Sequence, residues 1–156
     1  MSETTIDQVL DAIEATSKPT RLQILAIERF ILAGPQVETP TTHYFSPGIY
    51  AREMFIPAGT VLTGAIHKTE HLVQFSGDIT VLTDGGIKRL TGRNMFVSKP
   101  GAKRVGYAHA DTWCTGYFAT TKTDIAELED DLVEDAHLLQ SRVPAITESE
   151  LNRLEA

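Results

Sequence analysis

The feature that most limits what this chain can fold into is the stretch from His43 to Thr120, where apolar runs are short or alternating and turn residues keep interrupting them. The interruptions are Ser46-Pro47-Gly48, Pro57-Ala58-Gly59, Asp84-Gly85-Gly86, Thr91-Gly92 and Lys99-Pro100-Gly101. Runs of this length, bounded by Gly, Pro and Asp, read as β-strands, and seven or eight of them fit. Many short strands in succession must hide their edges, which a closed barrel or a jelly roll does. Asp84-Gly85-Gly86 is the clearest hairpin turn, because glycine supplies the positive φ that tight loops need.

Helical periodicity is confined to the two ends. Ile6, Val9, Leu10 and Ile13 share one helix face, and after Pro19 a second helix runs over Leu22 to Leu32, with Thr20 and Gln23 as a capping box. Asp124 and Glu127 repeat the box ahead of a stripe made by Ile125, Leu128, Leu132, Ala136 and Leu139, and Thr147 with Glu150 opens a short terminal helix. The expected fold is therefore mainly β: a barrel over 43–120, with N-terminal helices within 1–35 and C-terminal helices within 124–156. All 156 residues count as a single domain, since no linker or repeat divides them. The acidic helix from Asp124 to Leu139 is expected to leave its carboxylates in water and to stay clear of any pocket.

Charge narrows the partners. Twenty-one acidic residues against 14 basic ones give a net charge of -7, which opposes a phosphate backbone, so no nucleic acid is expected. No run approaches the length of a membrane span and the N-terminus lacks a signal pattern, which points to no membrane partner and a cytoplasmic location. Cys114, the single cysteine, reads as a small buried hydrophobe. The helix from Leu22 to Leu32 is apolar on more than one face, more than one barrel should cover, so a homodimer or higher homo-oligomer is expected.

Chemistry concentrates in Gly64-Ala-Ile-His-Lys-Thr-Glu-His-Leu-Val-Gln-Phe-Ser-Gly77. If the runs on either side pair as antiparallel strands, His67 and His71 straddle the turn, and two imidazoles beside the Glu70 carboxylate can hold a divalent transition metal. The same residues can equally cap a hairpin. Of Lys103 and Arg104, strand alternation lets only one enter a barrel. A buried guanidinium needs an acid such as Asp111 or Glu53, or a ligand carboxylate or phosphate. Tyr50, Tyr107 and Trp113 fill a core or stack on a ligand, and His43 is an edge residue or a further ligand contact.

At these residues the chain resembles the cupin superfamily. Glu70 and Gly77 keep the spacing of the family's first motif, Pro57-Ala-Gly-Thr60 resembles its lead-in, and Val97-Ser-Lys-Pro-Gly101 resembles the start of the second. The usual histidine pair precedes the glutamate, whereas here His71 follows Glu70, and Lys103 and Arg104 stand where the second motif has a histidine. The runs His43 to Glu53, Thr63 to His71 and Lys99 to Tyr107 are more closely similar to small cupin-like proteins of tailed phages and prophages, a group that often carries a histidine near the place of Phe118.

The resemblance implies a jelly-roll barrel with a small-molecule ligand, anionic in one reading, in its pocket. It implies a metal on His67, His71 and Glu70, and ligand contacts from Arg104, Tyr107, His43, Tyr50 and Trp113, with Arg104 favoured inward. Three functions follow: a ligand-binding protein encoded by a phage and acting in the host cytoplasm, a metal-dependent enzyme whose catalytic residues are unassigned, or a non-catalytic phage accessory protein. The last would sequester an anionic or nucleotide-like signal or bind a host protein. Fold alone does not choose among them.

Overall fold

The computed structural model describes residues 11, 21–83 and 85–139. The helices expected before Pro19 and beyond Pro144 lie outside the described residues. Helix α1 (Arg21–Leu32) is followed by strands β1 (Thr41–Ser46), β2 (Ile49–Ile56), β3 (Val61–Thr63), β4 (His71–Thr83), β5 (Gly86–Ser98), β6 (Val105–Ala108) and β7 (Thr112–Ala119). Helix α2 (Ile125–Leu132) and a 3-10 turn (Ala136–Leu138) end the described chain.

The strands form one curled antiparallel sheet in the order β1-β2-β7-β4-β6-β3, with β5 also on β4. The protein is thus a mostly β half-barrel with a helix at each end of the described chain, as the strand texture and terminal periodicity predict. Alternation sets the two faces. Along β4, His71, Val73 and Phe75 are buried while Leu72, Gln74 and Ser76 face outward or are only half-buried.

Strand β4 organises the curl. It pairs with β5 along its whole length, while its other edge pairs with β7 from Leu72 to Ser76 and with β6 from Ile79 to Leu82. The change of partner falls at Gly77, whose φ is 148°. A Cβ there would lie 2.4 Å from Thr112 Oγ1 and 2.7 Å from the Asp111 carbonyl oxygen. Thr112 Oγ1 in turn accepts from the Asp78 N–H at 3.1 Å, and the Asp78 carbonyl accepts from the His109 N–H at 2.8 Å. The glycine seen as a spacing match in the sequence is therefore the point where the sheet turns back on itself.

Three apolar clusters fill the fold. Ile56, Val73, Phe75, Ile79, Val81, Leu90 and Ala108 make the half-barrel core, with Cys114 packed against it. Ile24 of α1 seals Leu82 and Val105 on the opposite face of the sheet. There Lys103, 8% exposed, donates to Glu28 Oε1 at 2.7 Å, and the Thr63 hydroxyl donates to the same oxygen at 2.8 Å. This part-buried pair ties α1 to the sheet, so Lys103 is the one of the two adjacent cations that turns away from the barrel interior.

The third cluster corrects the expectation for the acidic helix. Asp124 caps α2 by accepting from the Glu127 N–H at 3.0 Å, as its spacing predicts, but the helix stops at Leu132 instead of reaching Leu139. Val133 is extended and forms an antiparallel bridge with His67. Lys68 N–H donates to the Leu132 carbonyl and Glu134 N–H to the Ile66 carbonyl, both at 2.8 Å, so a strand ladder takes over from helical bonds. Asp135 then adopts a left-handed conformation at φ 50°. Leu128, Leu132 and Val133 pack on Tyr50 and Phe118 at one end of the half-barrel, so α2 covers the region from which it was expected to stand apart.

Gly77→Ala should cost about 3 kcal/mol, the overpacking penalty with backbone strain added. Gly92→Ala, at φ 71° with open space for a Cβ, should cost about 1 kcal/mol. Urea denaturation of the two variants checks the difference, and equal losses would mean that the bend at Gly77 is not under steric control.

Candidate functional site

Two rows of side chains on the concave face build the end of the half-barrel against which α2 packs. Phe45, Tyr50 and Phe118 are successive cross-strand partners on β1, β2 and β7, and the row continues to His71 on β4 and its partner Ser98 on β5. One step deeper run His43, Arg52, Gly116, Val73 and Phe96. The outer row is mostly aromatic and the deeper one carries Arg52.

Gly116 sits between the rows for a steric reason. A Cβ on it would lie 2.9 Å from the Phe118 ring, so the missing side chain lets Phe118 fold back over the strand. In that position Phe118 stacks on His71 at 4.6 Å and on His67 at 5.3 Å between ring centroids, and on Tyr50 at 5.8 Å. The two imidazoles are themselves 4.3 Å apart.

The route by which the histidines meet differs from the expected one. The run ending at His67 does not pair with β4: β3 pairs with β6, and His67 is held by its bridge to Val133 and by the Gly101 N–H donating to its carbonyl at 2.9 Å. His71 begins β4 and its Nδ1 donates to the Thr69 carbonyl at 3.1 Å. A carbonyl can only accept, so the proton is on Nδ1 and Nε2 is left as a bare lone pair.

Both rings are held neutral. Burial, then His71, then the guanidinium charges of Arg52 and Arg104 push His67 down to about 3. Burial lowers His71 as well, with Arg104 acting in the same direction against the Thr69 hydrogen bond. His43 is lowered by burial and Arg52, and it shares a 2.6 Å hydrogen bond with the Tyr50 hydroxyl, whose proton burial retains. Glu129 of α2 brings a negative charge to this side of the site. Burial likewise pushes the Cys114 thiol up to about 11, consistent with an inert core residue.

Arg104 lies on the inner side. Its Nη2 donates to Ser98 Oγ at 2.8 Å and its guanidinium sits 5.5 Å over the Phe96 ring. Asp111 and Glu53, considered as internal acids for it, are engaged elsewhere: Asp111 accepts from the Ala58 N–H and Glu53 from the Thr115 hydroxyl. Tyr107 and Trp113 are not brought to this end. Tyr107 makes an edge contact with His109, and Trp113 is 44% exposed against Phe55 on the outer face.

Glu70 is turned to Lys99 on the exposed rim, at 2.5 Å. Among the described residues no three His, Cys, Asp or Glu side chains converge, so the imidazole pair gains no carboxylate and stands under positive charge. As placed, His67, His71 and Glu70 do not fit a complete ligand set for a divalent ion. A cleft of about 300 Å³ between Ile49, Leu72, Val97 and Tyr117 reaches the edges of His71 and Phe118 from the rim.

Two residues of the site were not singled out in the sequence. Arg52 stands two positions from Tyr50 on a strand, which alone puts it on the same face. Phe118 was noted only as standing where a histidine is common in similar proteins.

No protein-family model matches the chain, and no curated protein does. Among solved structures it is similar to ectoine synthase from P. lautus, at 17% identity and a TM-score of 0.49 over 63% of this chain and 75% of that one. KdgF from Halomonas sp. gives 18% and 0.46 over 58% and 86%. A cupin-2 domain containing protein from Shewanella frigidimarina gives 9% and 0.42 over 61% and 92%. Likenesses at this level say nothing of what this chain binds, and its architecture stands on the strand register described above. Among the described residues no helix is long and apolar enough to cross a membrane.

The lowered histidines give a signed pH dependence. An unfolded imidazole takes its proton near ~6.5, whereas native His67 stays neutral down to about 3. Between those values the unfolded chain binds more protons, so stability falls as pH drops from ~6.5 toward 3 and is flat in this group above it. His67→Gln should remove up to about 3 kcal/mol of that loss at pH 4, read as a smaller shift of the urea midpoint between pH 7 and pH 4 than in the unaltered protein. An identical shift in both proteins would show that His67 titrates normally.

Proposed function

We propose that the protein binds a small molecule at the inner face of the half-barrel, against Phe118 and Tyr50, with His67, His71, His43 and Arg104 as polar anchors. The observation that carries this reading is the pair of neutral imidazoles, 4.3 Å apart and stacked on Phe118, at the aromatic end of the half-barrel. The His71 Nε2, left without a proton, can accept from a ligand, and the Phe118 ring beside it offers a stacking face. An aromatic wall with a few placed polar groups is the usual make-up of a small-molecule site.

The reading is of binding first and catalysis second. The metal reading drew its third ligand from Glu70, which instead pairs with Lys99, so no step is assigned to a metal. The wider reading places the protein in the cytoplasm, within a phage-encoded group through its sequence runs. It also makes the protein a homo-oligomer, which Leu22 and Leu32, 77% and 65% exposed on α1, support.

A ligand-observed NMR screen of small metabolites against protein purified without a histidine tag tests the site. At least one compound should bind, and Phe118→Ala and His71→Ala should each weaken it tenfold or more while circular dichroism stays unchanged. No hit with the unaltered protein, or equal binding by both folded variants, would dismiss the site.

A further inference from the structure

The placement of charge and of hydrogen-bond acceptors says more about what that site takes. The row beneath Phe118 carries Arg52 on β2, directly across from Gly116, while Arg104 reaches in from beyond β6 over Phe96 and onto Ser98. The glycine leaves no side chain between Arg52 and Val73, its partners on either side, other than the Phe118 ring laid over it. Arg52, exposed on its strand, and Arg104, half-buried over Phe96, thus flank Gly116 and Val73 of one row, with aromatic carbon between them. The acid on this side, Glu129, lies toward His43 and Tyr50, and Glu70 is committed to Lys99.

The histidines add a second requirement. His71 spends its only ring proton on the Thr69 carbonyl, so its Nε2 offers a ligand a lone pair and not a proton, and the neutral His67 ring beside it can also accept. Such acceptors are matched either by a cation or by a ligand O–H or N–H. Two guanidiniums oppose the first and are themselves matched by carboxylate or phosphate oxygens.

We propose that this inner face takes an organic anion, carboxylate or phosphate, that carries a hydroxyl or N–H donor beside its charge, the anionic group facing Arg52 and Arg104 and the donor facing His67 and His71. The proposal rests on the small-molecule reading above and names the class of ligand. It also runs against the metal that the sequence resemblance implies, because the same imidazoles serve as acceptors to the ligand.

Isothermal titration with matched probes tests it. Malate and succinate differ by one hydroxyl, and glycerol 3-phosphate and propyl phosphate differ by their hydroxyls, so each pair isolates the donor while the two pairs separate carboxylate from phosphate. One hydroxylated probe should bind at least tenfold more tightly than its partner. Arg52→Gln and Arg104→Gln should each weaken it at least tenfold, Arg52→Lys should retain part of the affinity, and Glu70→Gln should leave it unchanged. His71→Ala should reduce the gap between the paired probes, which a purely structural role would not do.

The proposal is overturned if succinate or propyl phosphate binds as well as its partner, if folded Arg52 variants bind normally, or if no probe binds at millimolar concentration. Stoichiometric Ni²⁺ binding that needs both His67 and His71 would overturn it too. In that case, or if the metabolite screen finds a neutral ligand sensitive to Phe118→Ala, the small-molecule site survives and only its anionic character is lost.

Discussion

Between Ser76 and Ile79, strand β4 lets go of β7 and takes up β6 while β5 stays along its other edge. β6 and β7 are one run of chain along that edge, antiparallel to β4, with extra residues between Ala108 and Trp113 opposite Ser76 to Ile79, and Gly77 lies at that interruption. The fold tolerates no Cβ there since the Asp111–Thr112 backbone already occupies the space. Every inward residue of the site takes its place from that curl: His71 begins the strand that bends, Phe118 and Gly116 lie on the strand it leaves, and Arg104 precedes the strand it joins.

The two adjacent cations after Gly101 show how alternation turns a sequence doublet into two different devices. Lys103 goes to the α1 side, where Glu28 and Thr63 receive it and fasten the helix to the sheet. Arg104 goes to the barrel side, onto Ser98 and the face of Phe96. Reversing them would bury a cation on each face away from the partner that matches its shape. The planar guanidinium suits an aromatic face, and the compact ammonium suits a single carboxylate.

The end of α2 bears on the site in a way that its acidic composition conceals. Its carboxylates include Asp131, paired with Lys122 at the surface, while Leu128 and Leu132 bury themselves against Tyr50 and Phe118. Val133 then becomes a one-residue strand against His67, so the backbone that positions one imidazole is itself positioned by the helix. The hydrogen bonds on either side of that bridge draw Ile66 to Lys68 and Leu132 to Glu134 into a single unit. Packing in the third apolar cluster and the orientation of His67 are therefore coupled.

The sequence by itself determined the β character of 43–120, the helices on either side of it, the Asp124 cap and the glycine at position 77. Each of these follows from local spacing, turn chemistry or periodicity acting within a few residues. It also brought His67, His71 and Arg104 forward: alternation let only one of Lys103 and Arg104 enter the barrel, and the resemblance favoured Arg104. Tertiary structure alone decided the rest. It stopped α2 at Leu132 because a ladder to Ile66 and Lys68 offered the backbone other partners, and it took Glu70 to Lys99 because the turn faces water. It sent Tyr107 and Trp113 to the outer face, and it gathered Arg52, Gly116 and Phe118 around the imidazoles. These are contacts between residues tens of positions apart, fixed by strand order and register.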